Sequence, residues 1–558
     1  MNRLFLLEII LTGVAFTLFS FLIDSRSVTK RLERGLSRIE KKPLLAAFGI
    51  VILAIVLRVA CLSFFPSPQP RIHDEFSYLL AADTFAMGRL TNPTHPQWPF
   101  FESFHIIHVP SYASMYPPAQ GLVLAAGKII GGNAWFAVLV STALMCGILC
   151  WMLQGWLPGR WAVIGEVIAV LRIALFSYWG NSYWGGSVAA IGGLLVLGSI
   201  PRLVKKNASV VYFLTLGFGV LILANSRPYE GLLLCFAAVL AGLTMYLKSR
   251  PPLTNLLTAK WLIVVCILII GVCAMGFYNW RVTGDPTLLP YKVNQQQYAL
   301  AQAFLWQTHP GNIEYRHEVM KNFYVHYFLQ AVKARSSIGG YLQLMSEKLT
   351  RFWAFFIGPI LSVLLIALPR AMLDRRIRFL VLTALFAVPG FLVGTWFHAH
   401  YAAPFTGIIY VLMLQSLRHI RFSRSISPRT RYAVFLTVPT VIILMTVVAV
   451  ITFPPPVQGR GFGLWCCNPN GESARSRLVH QLQASGGRHL VFVEYTSNHD
   501  ADFDDEWVYN AADIDSSPVV FARHMDPTKD LQLIQYFPDR QVWRLVVADA
   551  PVRFERYK

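Results

Sequence analysis

Two adjacent carboxylates follow the second of many apolar runs in this chain. They are Asp74 and Glu75, in the stretch Arg71-Ile72-His73-Asp74-Glu75-Phe76-Ser77-Tyr78. Charged groups beside a membrane are costly unless they are solvated or used. In isolation, an acidic pair in this position is typical of a helix N-terminus, where the helix dipole favours negative charge. The apolar residues that follow, between Tyr78 and Ala86, predict an amphipathic helix lying on the membrane surface.

Other groups have the residue types of a metal site. His105 and His108 are three residues apart, which on a helix would put both on one face with Glu102 one turn before. A surface helix is the simpler interpretation, because no fourth ligand is evident. The acidic run Asp502, Asp504, Asp505 and Glu506 lacks EF-hand spacing and is typical of a solvated loop. The eight cysteines include no CxxC pair. We therefore assign no metal ligand from these patterns.

The elements that must position these residues are apolar helices. Of the 558 residues, 55% are hydrophobic and 14% are charged, whereas a soluble protein has about 25% charged residues. The net charge of +20 could suggest nucleic-acid binding. However, the basic residues occur in short clusters between apolar runs, as in membrane proteins. No nucleic-acid partner is expected.

About 20 apolar helical residues are needed to cross a bilayer. The chain therefore predicts a polytopic α-helical membrane protein with about twelve transmembrane helices. The predicted spans are 4–23, 44–65, 133–154, 161–179, 185–200, 209–225, 229–247, 261–279, 352–369, 379–397, 401–417 and 433–453.

Arginine and lysine in alternate loops predict the orientation. The segments 24–43, 155–160, 201–208, 248–260, 370–378 and 418–432 contain 23 basic residues. The intervening short turns contain one, Arg227. By the positive-inside rule the first set is cytoplasmic. The long segments 66–118, 281–350 and 454–558 then lie together on the outer face, where transporters normally keep their loops short.

The last hundred residues have a different pattern. Within 454–558, strand-like runs at 489–495, 518–522 and 542–547 alternate with helix-like runs near 474–485 and 529–537. This alternation predicts a small soluble α/β domain with some parallel pairing. The domain boundary is placed after residue 453.

The order of these parts resembles the GT-C class of membrane glycosyltransferases, which includes protein O-mannosyltransferases and the lipid A aminoarabinose transferase. The matching parts are the Asp74-Glu75 pair at the start of the first outer loop, a juxtamembrane helix, Tyr116-Pro117-Pro118 before the next span, many further spans and an outer soluble domain. The architecture matches over about the first four hundred residues. The chain departs from this class in an additional first span and in its α/β tail.

The resemblance implies an inverting glycosyltransferase in the bacterial cytoplasmic (inner) membrane, with the C-terminal domain periplasmic or extracellular. It implies a sugar donor linked to polyprenyl phosphate, and a glycan, lipid or protein acceptor. By this match Asp74 is the general base, and Glu75 assists it or orients the acceptor. Phosphate is a good leaving group, so cations and hydroxyls near the membrane surface must hold its charge.

The candidates for contact with the lipid phosphate are basic or phenolic groups on the outer face. They are Tyr116, Arg227, Tyr291, Lys292, His398 and His400. Each has a simpler alternative: Arg227 could pair with Glu230, Lys292 could extend to the lipid interface, and the two histidines could cap helix ends or hold a metal. No cofactor follows from the sequence, although a divalent metal is compatible with it.

Two alternative functions remain open. A transporter or lipid flippase with an outer binding domain would place charged residues at mid-span. Glu166 and Arg172 are the clearest such residues, but their separation of six does not let them pair on one helix. A non-catalytic assembly protein that retains the fold is the third possibility.

Overall fold

The structure is a computed structural model that describes residues 3–64, 66–205, 207–249, 258–307, 313–451, 473–496, 506–547 and 552–557. Helices α1 to α11 are Arg3–Thr17, Ser25–Glu40, Pro43–Ala60, His73–Ala86, Pro118–Gly131, Ala134–Trp156, Gly159–Ala169, Ser187–Leu203, Val210–Ser226, Pro228–Ser249 and Trp261–Thr283. Helices α12 to α22 are Pro290–Tyr298, Glu318–Lys321, Gln330–Ala334, Ile338–Phe356, Gly358–Ser362, Leu368–Met372, Arg378–Val393, Thr406–Phe422, Pro428–Ile451, Ala474–Ser485 and Pro527–Tyr536.

Short 3-10-helical or π-helical segments lie between or beside several of these α-helices. They are Leu18–Leu22, Trp98–Phe101, Val170–Ala174, Asn322–Leu329, Val363–Ala367 and Ala399–Phe405. The strands β1 to β7 are Asn92–Pro93, Ile106–Ile107, Ser111–Ser114, His489–Tyr495, Val519–Arg523, Gln541–Val547 and Arg553–Arg556. Helical segments cover most of each of the twelve predicted spans, so the mostly helical architecture is as predicted.

Six helices of the described chain are long and apolar enough to cross a membrane. They are Leu4–Leu22, Pro43–Ala60, Ala134–Trp156, Pro228–Lys248, Trp261–Thr283 and Pro428–Ile451. A bent pair, Ile338–Phe356 with Gly358–Met372, makes a seventh if it counts as one span. The most buried of them is α6, which packs against α3, α5 and α8 at the centre of the apolar core.

The predicted span 352–369 differs from the structure in shape. Helix α15 already begins at Ile338, inside the predicted outer loop 281–350, and the chain bends by 98° after Phe356. Gly358 has a φ of +63° at this bend. A left-handed backbone of this kind suits glycine, because a side chain would be strained there. The hydropathy pattern alone gave no sign of the bend.

The C-terminal region confirms the predicted α/β pattern. Its four-stranded sheet has the order β5-β4-β6-β7. Strand β4 pairs in parallel with both β5 and β6, and β7 closes one edge in antiparallel pairing. Helices α21 and α22 lie at the predicted positions. The acidic run Asp502, Asp504 and Asp505 lies outside the described residues, whereas Glu506 is buried and pairs with Arg523 at 3.3 Å.

Helix α4, which carries the acidic pair, is not the amphipathic surface helix that the sequence predicted. It begins at His73, and most of its residues are buried on all sides. One reason is that the C-terminal region packs against it: the Phe76 ring stacks on Tyr509 with centroids 4.1 Å apart. A sequence pattern cannot distinguish lipid from a distant protein segment as the cover of an apolar face.

Candidate active site

Glu75 fixes the start of α4. Its Oε2 accepts the backbone N–H groups of Arg71 at 3.0 Å and Ile72 at 3.1 Å, and its Oε1 accepts that of Tyr183 at 2.9 Å. Burial raises the pKa of Glu75, and these three bonds offset the shift only in part. With both oxygens occupied by backbone amides, Glu75 has the geometry of a positioning residue rather than of a group that contacts substrate.

Asp74, the preceding residue, faces a cluster of ionisable side chains. Its Oδ1 accepts a hydrogen bond from the Tyr116 hydroxyl, and its Oδ2 lies 3.2 Å from Nε2 of His73. Nδ1 of His105 is 3.7 Å from Oδ1. Burial alone would raise the pKa of Asp74, but His73, His105 and the Tyr116 bond outweigh it and hold the pKa below its ordinary value. Asp74 is therefore a buried carboxylate that is ionised at neutral pH.

The chain segment around β2 and β3 brings His105 and Tyr116 to this carboxylate. The Tyr116 hydroxyl lies 2.9 Å from Nδ1 of His105, and Ser77 of α4 donates a hydrogen bond to the His105 carbonyl at 2.7 Å. Burial, followed by the charge of His73, lowers the pKa of His105 to about 3, and Asp74 acts in the opposite direction. Tyr78, four residues after Asp74, stacks on Tyr116 with centroids 4.4 Å apart.

The interpretation of His105 and His108 as one face of a helix is wrong. The two residues between them form β2, and the two rings have different surroundings. His105 faces Asp74, whereas His108 lies between the rings of Trp98 and Tyr112. Glu102 faces a third set of residues and accepts hydrogen bonds from Tyr298 at 2.8 Å and Arg316 at 3.1 Å. These contacts join the segment 66–118 to the segment 281–350.

Arg227 shares the electrostatic surroundings of Asp74. Its guanidinium carbon lies 4.4 Å from the Tyr401 ring centroid. Burial lowers the pKa of Arg227, but Glu230 and the phenol groups of Tyr78 and Tyr401 raise it above its ordinary value overall. Tyr78 and Tyr401 were not sequence candidates. The available signal for Tyr78 was its position one helical turn after Asp74. For Tyr401 it was the position after His400 and before Pro404, at the turn between two predicted spans.

Tyr291 and Lys292 have different positions although they are adjacent on α12. The Tyr291 side chain is 38% exposed. The charges of Arg227, Glu230 and Asp74 all act on its hydroxyl group. Lys292 is exposed and makes no side-chain hydrogen bond or ion pair to any residue that the structure describes. The structure thus brings Tyr291, but not Lys292, into the cluster.

His398 and His400 form a parallel pair of rings beside Trp184. Their centroids are 5.6 Å apart, and they lie 4.9 Å and 4.7 Å from the Trp184 ring. Nδ1 of His400 is 2.8 Å from the Tyr178 hydroxyl. Burial, followed by the charge of Arg351, lowers the pKa of His398 to about 3, and Asp74 is close enough to act in the opposite direction. His398 therefore borders the Asp74 cluster, and His400 lies behind it.

The residues around Asp74 also fit a divalent metal. One ligand atom each from His73, Asp74 and His105 lies within 4.8 Å of the other two. Imidazole nitrogens with a carboxylate oxygen suit zinc and similar ions. Such an ion would add positive charge next to Asp74. The sequence pattern suggested His105, His108 and Glu102 as possible ligands. In the structure His105 is instead grouped with His73 and Asp74.

The amino-acid sequence matches no known family model and no curated protein. The fold, in contrast, matches solved structures. ArnT from Cupriavidus metallidurans bound to undecaprenyl phosphate superimposes with a TM-score of 0.52 and 14% identity, over 90% of this chain and 92% of that one. The Archaeoglobus fulgidus oligosaccharyltransferase tethered with an acceptor peptide gives a TM-score of 0.49 and 9% identity, over 89% and 68% of the two chains. The match to ArnT covers nearly all of both chains, and the protein therefore has the fold of the GT-C class of membrane glycosyltransferases.

Proposed function

We propose that this chain is an inverting GT-C glycosyltransferase that transfers a sugar from a polyprenyl-phosphate donor to an acceptor hydroxyl, with Asp74 as the general base. The observation that carries the proposal is the Asp74 carboxylate itself. It is 8% exposed, ionised at neutral pH and surrounded by His73, His105 and Tyr116. Buried ionisable groups whose pKa is shifted by specific charged neighbours are concentrated at active sites.

In the proposed reaction the acceptor oxygen attacks the anomeric carbon in line. Its proton passes to an Asp74 carboxylate oxygen as the new carbon–oxygen bond forms. The bond from the anomeric carbon to the phosphate oxygen breaks, and its electron pair leaves with polyprenyl phosphate. Attack from the face opposite the phosphate inverts the anomeric configuration. Tyr116 holds Asp74 by its hydrogen bond, and Glu75 holds the helix that carries it.

The leaving phosphate needs positive charge and hydrogen-bond donors. Arg227 supplies a cation whose surroundings overlap with those of Asp74, and Tyr291 and Tyr401 supply phenol groups beside it. His398 borders the same space. A two-pronged guanidinium suits phosphate better than a point charge does. The fold is that of ArnT, which was solved with undecaprenyl phosphate.

The placement in the cell follows from the same proposal. The site lies on the outer face of a bacterial inner membrane, where polyprenyl-phosphate sugars are presented, and the region 454–558 is periplasmic or extracellular. Residues 1–453 form the transmembrane catalytic domain. The acceptor is a glycan, a lipid or a protein that reaches Asp74 from the aqueous side.

The proposal is tested by incubating the protein, reconstituted in lipid nanodiscs, with a panel of polyprenyl-phosphate sugars and an extract of the cell envelope as acceptor source. Mass spectrometry follows the release of polyprenyl phosphate. The expected result is acceptor-dependent release from one class of donor, with an inverted anomeric linkage in the product. No release from any donor in the panel would contradict the proposal.

A transporter or flippase remains the alternative because Glu166 is a buried acidic group. The other mid-span charge, Arg172, forms an ion pair with Glu8 of α1 at 3.4 Å and so has a structural partner. Glu166 is fully buried in α7, and neither carboxylate oxygen has a hydrogen-bond partner among the described residues. In vesicles, a flippase would move polyprenyl-phosphate lipid between leaflets without consuming it, and replacement of Glu166 by Gln would stop that movement.

A further inference from the structure

Helix α2 lies at the other end of the bundle from Asp74, since α3 separates the two along the chain. Its inner face is fixed by specific contacts. Glu33 forms an ion pair with Arg421 at 3.1 Å, and Glu40 accepts the backbone N–H of Gly159, the first residue of α7, at 2.9 Å. Thr29 on the same face is fully buried. These contacts set the rotation of α2 about its own axis.

The fixed rotation leaves an apolar stripe uncovered. Val28, Leu32 and Ile39 are 42%, 39% and 43% exposed. Their spacings of four and seven place them along one line of the helix surface. The neighbouring ends of the flanking spans are apolar and exposed too, with Leu22 at 76% and Leu44 at 74%. Exposed apolar side chains of the two flanking spans therefore lie close to both ends of α2 along the chain.

A basic face lies beside this stripe. Its members are Arg26, Lys30, Arg31, Arg34 and Arg38, all of them exposed. Both acidic residues of α2 point inward, to Arg421 and to Gly159, and neither neutralises this face. No ion pair joins any of the five to another residue in the part of the chain that the structure describes. In the sequence this cluster served only to orient the spans.

We propose that α2 is an interfacial helix that binds the anionic headgroups of membrane phospholipids. The apolar stripe inserts at the acyl boundary, and the basic face beside it meets the headgroup phosphates. Charge complementarity selects this occupant, because an uncompensated row of five cations beside exposed apolar side chains matches an anionic lipid surface. The proposal does not depend on the reaction at Asp74.

The first test compares two triple variants with equal loss of charge. R31Q/R34Q/R38Q removes three cations of α2, and R370Q/R375Q/R376Q removes three exposed arginines from another loop that the sequence assigns to the same side. Binding of phosphatidylglycerol to the full chain in neutral detergent is measured by native mass spectrometry. The α2 variant should bind it on the order of a hundredfold more weakly, about fivefold for each charge removed. The loop variant should retain most of the affinity.

Equal weakening in both variants would show that total charge, not α2, holds the lipid, and would overturn the proposal. Unchanged binding in the α2 variant would overturn it as well. Phosphatidylcholine and inorganic phosphate serve as further probes. Thermal stabilisation of the wild type should follow phosphatidylglycerol and neither of these, because the site requires both a negative headgroup and an acyl boundary. Stabilisation by inorganic phosphate to the same extent would contradict the role of the stripe.

A second pair of variants tests the stripe independently of charge. L32S makes the stripe polar, and L373S changes a leucine that is 79% exposed in the other loop. Both positions are exposed, so neither substitution opens a cavity in the core. L32S should lower the affinity for phosphatidylglycerol by roughly tenfold, as expected when apolar burial of a leucine is lost, and L373S should not. Equal affinities for L32S and the wild type would overturn the insertion of α2.

Discussion

The Tyr116 hydroxyl donates a hydrogen bond to Asp74 and lies 2.9 Å from Nδ1 of His105. The start of α4, the segment before β2 and the segment after β3 therefore meet at one carboxylate. The Tyr116 hydroxyl is therefore one of the groups that favour the ionised form of Asp74, together with the neighbouring histidines.

Replacement of Tyr116 by Phe should move the acidic limb of the pH–rate profile. Asp74 must be ionised to accept a proton, so the rate falls as the pH drops through its pKa. Tyr116 stabilises the ionised form and lowers that pKa, so its loss should raise the pKa and shift the limb to higher pH. Tyr112→Phe, which removes a hydroxyl bonded to the Asn510 carbonyl, is the control. Identical limbs in wild type and Tyr116→Phe would separate Tyr116 from the base.

Replacement of Arg227 by Ala should weaken polyprenyl-phosphate binding. A charge-assisted bond to phosphate contributes on the order of 1.5–3 kcal/mol, so the affinity should fall roughly ten- to hundredfold. Arg227→Lys should recover only part of the loss. The measurement is thermal stabilisation of the purified protein by the lipid. Arg281→Ala, at an exposed arginine on the same predicted face, should behave as wild type. Equal stabilisation of the Arg227→Ala variant would remove Arg227 from the site.

The C-terminal region should influence catalysis through α4. The Phe76 ring stacks on Tyr509, and the Arg475 guanidinium carbon lies 4.8 Å from the Phe76 centroid. Tyr509→Ala should therefore lower kcat as well as the melting temperature, because α4 loses the cover that holds Asp74 in place. Trp543→Ala, which breaks the stack with Phe554 within the same sheet, should lower the melting temperature alone. A kcat unaffected by Tyr509→Ala would show that the region serves stability only.

The orientation of the chain is open to thiol labelling. In a background without the eight native cysteines, Ser37→Cys on α2 should be protected from an impermeant reagent in intact cells. Lys529→Cys on α22 should react, since this side chain is exposed and the region is expected outside. The opposite pattern would place Asp74 in the cytoplasm and exclude an outer-face donor.

The helices could be predicted because the thickness of a bilayer sets their length, and the strands of the tail because their alternation with helices is local. Asp74 was also found locally, next to the end of a span. His105 was assigned to a helix because the spacing of two histidines carries no information about the strand between them. The pairing of Arg172 with Glu8, 164 residues away, depends on how distant spans pack. A single sequence gives no sign of the contact between His105 and Asp74, or of the Arg172–Glu8 ion pair.

The covering of α4 was missed for a related reason. The apolar residues after Asp74 suit a lipid surface and a protein surface equally. The structure places Phe76 against a tyrosine more than four hundred residues later in the chain. Only the packing of the C-terminal region shows that the cover of α4 is protein rather than lipid. That packing helps to bury Asp74 and Glu75.

The most direct test of Asp74 as the general base is the turnover of Asp74→Asn with a competent donor and acceptor. This variant keeps the shape of the side chain and removes the proton acceptor, so kcat should fall by about 10²–10⁴ while lipid-dependent stabilisation stays unchanged. Glu75→Gln should lower the melting temperature, because the Glu75 oxygens accept hydrogen bonds from three backbone amides. It should lower kcat less than Asp74→Asn does. Wild-type turnover by Asp74→Asn would show that the carboxylate is not the base, and the mechanism proposed for this chain would be wrong.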